Sequence, residues 1–359
     1  MPAEQRETLR FNPNNATTGI VERVHAPDGS TRIHKQLRRA GTVLTGPAHW
    51  ASSDTPTDWN HWAREAAVYT DPRLRAGLTG TGLDLPAAEV EHRELSIELW
   101  LEDVHGTAGG DFTLDDHVAA AAGLGRWQAR PPHPVPTWAS RGFLRAYSTS
   151  RPGDLSLLGD DAEADAAWAQ PLIRDTWPAH LRAGWRRLLA HREDLLGLME
   201  QLPRTLCHLD AWVSNVIRRP TGEVVLLDWS FAGDGAVGED LGNYLPDAVF
   251  DLFWPAERLV ELEAACWPAY LDGLRAGGWD GSEREARLGV VASCVKYAWL
   301  LPLLLQQAGD GEHAAYHRRA DAEHLYRQRG AALSHLVGWC EEALDLAGCG
   351  DPHAASRTT

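Results

Sequence analysis

In "ELSIELWLEDV", Leu95, Ile97, Leu99 and Leu101 alternate with Ser96, Glu98 and Trp100, as in a strand with one buried face. Upstream, "TTGIVERVHA" (Thr17 to Ala26) and "TRIHKQLRR" (Thr31 to Arg39) flank the turn "PDGS" (Pro27 to Ser30) and read as a hairpin. A loop rich in Gly, Ser, Thr and Pro runs from Gly41 to Thr57. "DWNHWAREAAVYT" then predicts a helix capped by Thr57 or Asp58, with Trp62, Ala66 and Tyr69 on one face. From about residue 110 the period becomes helical, in "DDHVAAAAGLGRWQA", "LRAGWRRLLAHREDLLGLMEQL" and most of 256–346. One strand pair, "NVIRR" and "EVVLLDW" joined by "PTG", interrupts it. A small antiparallel sheet with one helix, followed by a larger helical part, is an α+β order. The expected domains are 1–104 and 105–350, with a disordered tail at 351–359.

Composition narrows the class. With 359 residues, 44% hydrophobic and 23% charged, the chain can bury a sizeable core in two lobes. Of the net charge of −16, only −2 falls in residues 1–100, which leaves −14 for the rest. Such an acidic later part repels phosphate backbones, so no nucleic-acid partner is expected. It suits a cationic ligand, or serves as a solvated surface. Five scattered cysteines indicate neither a disulfide framework nor a zinc site. The first residues, "MPAEQRETLRFNP", contain no apolar run of a signal peptide, and a cytoplasmic protein is expected. "LGVVASCVKYAWLLPLLL" (Leu288 to Leu305) holds Lys296 and Pro302 and reads as a buried helix, not a membrane span.

The candidate chemistry lies around the embedded hairpin. "HLDAWVSN" places His208, Asp210 and Asn215 in an apolar neighbourhood, and Asp228 ends the strand "VVLL". A strand out, a turn and a strand back bring Asp228 close to Asn215. A carboxylate and a carboxamide facing one point make the oxygen environment that Mg2+ prefers, with phosphate and water completing the octahedron. Asp210 is left to accept a proton or orient a nucleophile. Taken singly, each of these residues reads better as a turn cap. In the first lobe, Ile33, Lys35 and Leu37 share a face, so a lysine sits in an apolar row. A buried ammonium needs a partner; Glu65 is the best candidate, with Glu89 and Glu91 nearby in sequence. Lys35 snorkelling from an edge strand is the competing reading.

In combination these features resemble the aminoglycoside phosphotransferase and choline kinase-like branch of the protein-kinase-like fold. "HLDAWVSN" is similar to its His-x-Asp-x-x-x-x-Asn catalytic loop, and "LLDW" to its counterpart of the kinase Asp-Phe-Gly segment. The resemblance implies a bilobal α+β fold: a small antiparallel β N-lobe with one helix, and a larger, mainly helical C-lobe. It implies Asp210 as the catalytic aspartate and Asn215 and Asp228 as Mg2+ ligands. Lys35 would contact the α- and β-phosphates of ATP, steadied by Glu65, and the backbone around Glu102, Asp103 and Val104 would meet adenine. His208 and Asp240 would support the loop. The implied reaction moves the γ-phosphoryl group to a hydroxyl of a small molecule, of which a cation such as an aminoglycoside or amino alcohol is one kind. A Ser/Thr kinase of a natural-product precursor peptide and a non-catalytic nucleotide-binding scaffold are the alternatives.

The chain departs from the pattern in places. The nucleotide loop "NPNNATTG" (Asn12 to Gly19) has a single glycine, and Leu209 stands where many relatives have glycine. "GLTGTG" (Gly77 to Gly82) reads as a loop, not a dinucleotide site. Asp240 reads equally as a cap for a helix starting near Leu241. Asp247 and Asp251, four residues apart, either line an acceptor pocket or face water. The carboxylates of "GDDAEADAAW" (Gly159 to Trp168) form a solvated helix face or a lip that draws in a cation, and the sixteen tryptophans read chiefly as packing.

Overall fold

The computed structural model describes residues 4–11, 17–41, 51–150, 153–316 and 318–348. The expected tail at 351–359, five residues of the nucleotide loop (Asn12 to Ala16), Trp50 and Cys349 lie outside the described residues. The chain forms two compact units. One comprises Met1–Phe143, Arg204–Gly235 and Ala269–Trp279; the other comprises Leu144–Pro203, Ala236–Pro268 and Asp280–Thr359.

The first unit opens with a five-stranded antiparallel sheet. Its strands are β1 (Gln5–Thr8), β2 (Thr18–His25), β3 (Thr31–Arg38), β5 (Ala88–His92) and β6 (Ser96–Glu102), in the order β1-β2-β3-β6-β5. The alternation read in "ELSIELWLEDV" holds from Ile97 onward. Ile97, Leu99 and Leu101 are buried and pack with Leu37 and Ala66, and Ile33, Trp62 and Tyr69 lie against them. Leu95 does not belong to that row. It is 56% exposed, because it precedes β6 in the turn closed by the Arg93 N–H donating to the Ser96 carbonyl.

The helix expected from a cap at Thr57 or Asp58 starts later. It spans Arg64–Thr70 (α1), and Ala63 precedes it without a side-chain cap. Ahead of it the carbonyls of Pro56, Asp58 and Trp59 all turn toward the Arg64 guanidinium, and the Asp58 carbonyl also takes the His61 N–H in a single turn, so this stretch is a series of turns and not a helical ladder. Periodicity had found the correct face: Trp62, Ala66 and Tyr69 all meet the sheet. The helix α2 (Pro72–Leu78) follows, and "GLTGTG" ends it in a turn where Gly80 and Gly82 take positive φ, the loop that was expected.

A second sheet carries the embedded hairpin. The strands β4 (Leu83–Asp84), β7 (Thr107–Ala108), β9 (Val216–Arg218) and β10 (Val224–Leu226) lie in the order β4-β10-β9-β7. The pairs Val224–Arg218 and Leu226–Val216 set the hairpin register, as the sequence implied. Ahead of it, β8 (Arg204–Cys207) is anchored by the Thr205 hydroxyl, which donates to the carbonyl of Gln128 at 2.7 Å. Gln128 ends α3 (Leu114–Gln128), whose start is held by a capping box between Thr113 and Asp116. Glycine lets this helix approach the helix Leu259–Gly277: a Cβ at Gly125 would stand 2.1 Å from the Tyr270 carbonyl oxygen.

The second unit is helical: α4 (Phe143–Ser150), α5 (Ala162–Trp168), α6 (Pro171–Thr176), α7 (Leu181–Ala190), α8 (Arg192–Gln201), α9 (Glu239–Phe250), α10 (Leu259–Gly277, its first half), α11 (Glu283–Val291), α12 (Leu300–Gln307) and α13 (Ala322–Ala347). The run 181–202, which reads as one helical pattern, is two helices hinged at His191. The apolar run 288–305 is buried, as expected, but is not one helix: a tight 3₁₀ stretch, Ala292–Tyr297, separates α11 from α12. Pro302 lies in the first turn of α12, where the N–H it lacks would have no helical partner. The stretch Glu283–Gln307 is long and apolar enough to cross a membrane, and 89% of its most apolar window is buried inside the protein.

Candidate functional site

Three segments of the first unit converge on one ammonium. Lys35 lies mid-strand in β3, paired with Leu99 of β6 and Val21 of β2, and only 7% of it is exposed. Its Nζ is 2.6 Å from Glu65 Oε2 and 3.2 Å from Asp228 Oδ1. Glu89 and Glu91 are engaged elsewhere, by Arg32 and Arg93. Lys35 is therefore paired and does not snorkel to solvent.

The three charges shift one another. Burial acts to lower the Lys35 pKa, but the charges of Asp228 and Glu65 outweigh it and raise it. Burial pushes the Glu65 carboxyl up to about 7, against the pull of Lys35. Asp228 is also pushed up by its surroundings, but Lys35 outweighs them and holds it below its ordinary value. Its side chain keeps 32% exposure on one side.

A fourth member went unnoticed in the sequence. Tyr69 follows Glu65 by four residues on α1, its hydroxyl is buried, and its pKa is raised by burial first and then by Glu65 and Asp228. Its place in the helical apolar stripe explains why it read as core, and the four-residue offset from Glu65 was the available signal.

The loop "HLDAWVSN" is built around a neutral imidazole. His208 is completely buried; its Nε2–H donates to the Leu227 carbonyl at 3.0 Å and its Nδ1 accepts the Asp210 N–H at 3.3 Å. One nitrogen donates and the other accepts, which is the neutral form. Burial lowers its pKa to about 4. The ring lies 4.5 Å from that of Trp229, the buried tryptophan of "LLDW", whose indole N–H donates to Leu226. Asp210 is half-buried, and Asn215 Nδ2 donates to its backbone oxygen at 3.0 Å and to Oδ2 at 2.9 Å. The Leu227 N–H donates to the Asn215 carbonyl at 2.8 Å, which brings Asp228 beside Asn215 across the hairpin. Leu209 and Asp228 both take left-handed backbone, at φ 65° and 54°. Such conformations cost about 1–3 kcal/mol each in non-glycine residues and tend to collect at functional sites.

Past β6, the side chains expected near a nucleotide are occupied by protein. Glu102 receives Arg219 at 2.8 Å and the Ala87 N–H at 3.1 Å; Asp103 receives Arg23 at 2.8 Å. Val104 is buried, and among the described residues no protein group pairs with its backbone N–H or carbonyl.

Residues 58–279, more than half of the chain, match the phosphotransferase enzyme family. The chain belongs to that family. As a member it is a phosphotransferase, a kinase acting on a hydroxyl group. The matched span holds Glu65, His208, Asp210, Asn215, Asp228 and Asp240; Lys35 precedes it and rests on the geometry above. No curated protein matches the chain in sequence. Among solved structures, an amicoumacin kinase in complex with AMP-PNP, Ca2+ and Ami is similar at TM-score 0.53 and 14% identity, over 94% of this chain and 88% of that one. An aminoglycoside phosphotransferase from Streptomyces rimosus, in complex with ADP and streptomycin, scores 0.44 at 17% identity, over 80% and 93%. An ethanolamine kinase from Plasmodium vivax scores 0.44 at 16% identity, over 93% and 81%. The first likeness shows the protein-kinase-like fold, an antiparallel sheet region followed by a mainly helical one.

Carboxylates that could have waited for a cationic ligand are largely occupied within the second unit of this family member. Asp247 pairs with Lys296 at 3.3 Å, and Asp251 lies 3.7 Å from Arg329 and accepts the Tyr316 N–H. In the 159–168 segment, Asp160 pairs with Arg186, Asp165 with Arg182, and Asp161 caps α5. Asp240 is buried in the first turn of α9; the cap position belongs to Gly238, which has φ 100°.

Proposed function

We propose that the protein transfers the γ-phosphoryl group of ATP, with Mg2+, to a hydroxyl of a small molecule. The observation that carries this is the Lys35 ammonium held between Glu65 and Asp228, with Asp210 and Asn215 joined across the same hairpin.

The residues present fit a divalent cation. Asp228 Oδ1 is buried and, apart from the Lys35 ammonium, has no hydrogen-bond donor among the described residues. Because Asn215 spends its Nδ2 on Asp210, its Oδ1 remains as an acceptor. These two oxygens would hold Mg2+, which when bound neutralises phosphate charge. Lys35 would hold the α- and β-phosphates, with Glu65 fixing the direction of its ammonium. The Val104 backbone supplies a donor and an acceptor for adenine within the proposed N-lobe, 1–104. Asp210, fixed by the Asn215 amide, accepts the proton of the acceptor hydroxyl and aligns it. His208 spends both ring nitrogens on the loop and takes no part in proton transfer.

The acceptor class follows from the family and from the small molecules named with its structural relatives. A polycationic acceptor draws little support from the described second unit, where Asp247, Asp251, Asp160 and Asp165 already face lysine or arginine. Among the described residues four buried cysteines form no disulfide, which suits the reducing cytoplasm proposed as its location.

The test is purified protein with Mg-ATP and a panel of hydroxylated small molecules and Ser/Thr peptides. Asp210→Asn should lower turnover by at least about 100-fold, the usual worth of a positioned base, while AMP-PNP still binds. Equal turnover by mutant and wild type would remove Asp210 from the reaction.

A further inference from the structure

Arg64 is wholly buried, and all five of its N–H groups meet backbone carbonyls. Nε donates to Trp138 at 2.9 Å; Nη1 donates to Trp59 at 2.7 Å and to Ser230 at 3.0 Å; Nη2 donates to Pro56 at 2.8 Å and also to Asp58. Among the described residues no carboxylate lies within ion-pair distance of it, so the charge is met chiefly by carbonyl dipoles, with a longer-range pull from the Asp58 carboxylate. Burial pulls its pKa down to about 10, so the group stays charged at neutral pH. Burying a guanidinium is costly, and an apolar side chain would serve a plain core at least as well. Its position suggests what it does. Arg64 immediately precedes Glu65 at the start of α1, and Ser230 lies two residues beyond Asp228.

We propose that Arg64 is a positioning residue: its guanidinium ties the helix that carries Glu65 to the segment that carries Asp228, so that both carboxylates stay on Lys35. The proposal rests on the nucleotide reading above. Lys35 contacts two carboxylates whose backbones belong to segments far apart in sequence, and within the described first unit the Arg64–Ser230 bond is a direct link between the immediate neighbourhoods of the two. With the tie cut, α1 and the hairpin end are joined near the site, among the described residues, only through Tyr69 and Lys35 itself, so the two carboxylates are held less firmly on the ammonium. The adenine end, set by the backbone past β6, has no such dependence.

The experiment compares calorimetric affinities for adenosine and for Mg·AMP-PNP in wild type, Arg64→Met and Arg64→Lys, each well below its melting temperature. The ratio of the two affinities isolates the phosphate and metal part of binding. Misplacement of about 1 Å can cost about 100-fold, so Arg64→Met should reduce the ratio at least about tenfold while adenosine affinity stays within about twofold. Arg64→Lys keeps the charge with three donors and should fall between. If Arg64→Met does not fold, a reduced ratio in Arg64→Lys supports the proposal and an unchanged one overturns it. Lower melting temperatures with an unchanged ratio would make Arg64 a structural staple only, and overturn it. A wild type that binds adenosine but gains nothing from Mg2+ and phosphates would sink the nucleotide reading itself, and this proposal with it.

Discussion

Protonating His208 should unlock the loop that holds Asp210 and Asn215. The ring is completely buried, with Nε2–H on Leu227 and Nδ1 accepting from Asp210, so a second proton would have to displace the Asp210 N–H. Its folded-state pKa of about 4 lies below the ordinary 6.5. Between those values the unfolded chain binds more protons, so this contribution to stability is present above pH 6.5 and fades as pH falls toward 4. At 1.36 kcal/mol per pKa unit, the loss relative to pH 7 amounts to about 2 kcal/mol at pH 5 and about 3 kcal/mol at pH 4. Glu65 works in the opposite sense: its raised pKa favours the folded state at low pH, a contribution lost as pH rises through about 7. The His208 term must therefore be read as a difference. Urea unfolding of wild type and His208→Gln, followed by tryptophan fluorescence at pH 7, 6, 5 and 4, gives the stability gap at each pH. The gap should narrow, or turn in favour of the mutant, by about 2 kcal/mol between pH 7 and 5. A gap that stays constant within about 0.5 kcal/mol would refute a neutral, titration-resistant His208.

Two further outcomes follow from the same geometry. Lys35→Met leaves Glu65 and Asp228 without their shared cation, so its melting temperature should fall further below wild type as pH rises from 6 to 9, where Glu65 must ionise; a pH-independent deficit would count against the pair. Leu209 is buried at φ 65°, so Leu209→Ala loses packing and keeps the strain, whereas Leu209→Gly loses packing and relieves about 1–2 kcal/mol of it. Glycine should therefore be the more stable of the two in chemical denaturation, and the reverse order would show that the left-handed backbone costs little.

Much of the site could be read from the chain because local rules determine it. Lys35 stood out because strand alternation put an ammonium where an apolar side chain belonged, and Asp228 came beside Asn215 because a short hairpin leaves one register. What escaped depends on side-chain hydrogen bonds and backbone geometry that a hydropathy pattern does not carry. The segment before α1 folds as turns whose carbonyls gather on the Arg64 guanidinium, an arrangement that helical periodicity does not encode. The 3₁₀ stretch at Ala292–Tyr297 leaves the apolar composition of its run unchanged, so hydropathy could not reveal it. Tyr69 was hidden because an apolar ring and a buried hydroxyl occupy one residue, and a pattern reads only the ring.

The first unit is assembled from three stretches of chain, Met1–Phe143, Arg204–Gly235 and Ala269–Trp279. During synthesis the sheet that bears Lys35 and the helix α1 that bears Glu65 can form early, but Asp210, Asn215 and Asp228 arrive only after Pro203, and Tyr270, which donates to Gln128 behind β8, later still. A nascent chain halted before residue 204 would hold the ammonium and its first carboxylate without the groups to which we assign base and metal ligation. On the proposed roles, activity waits until most of the protein exists, because no single continuous piece of chain holds the whole first unit.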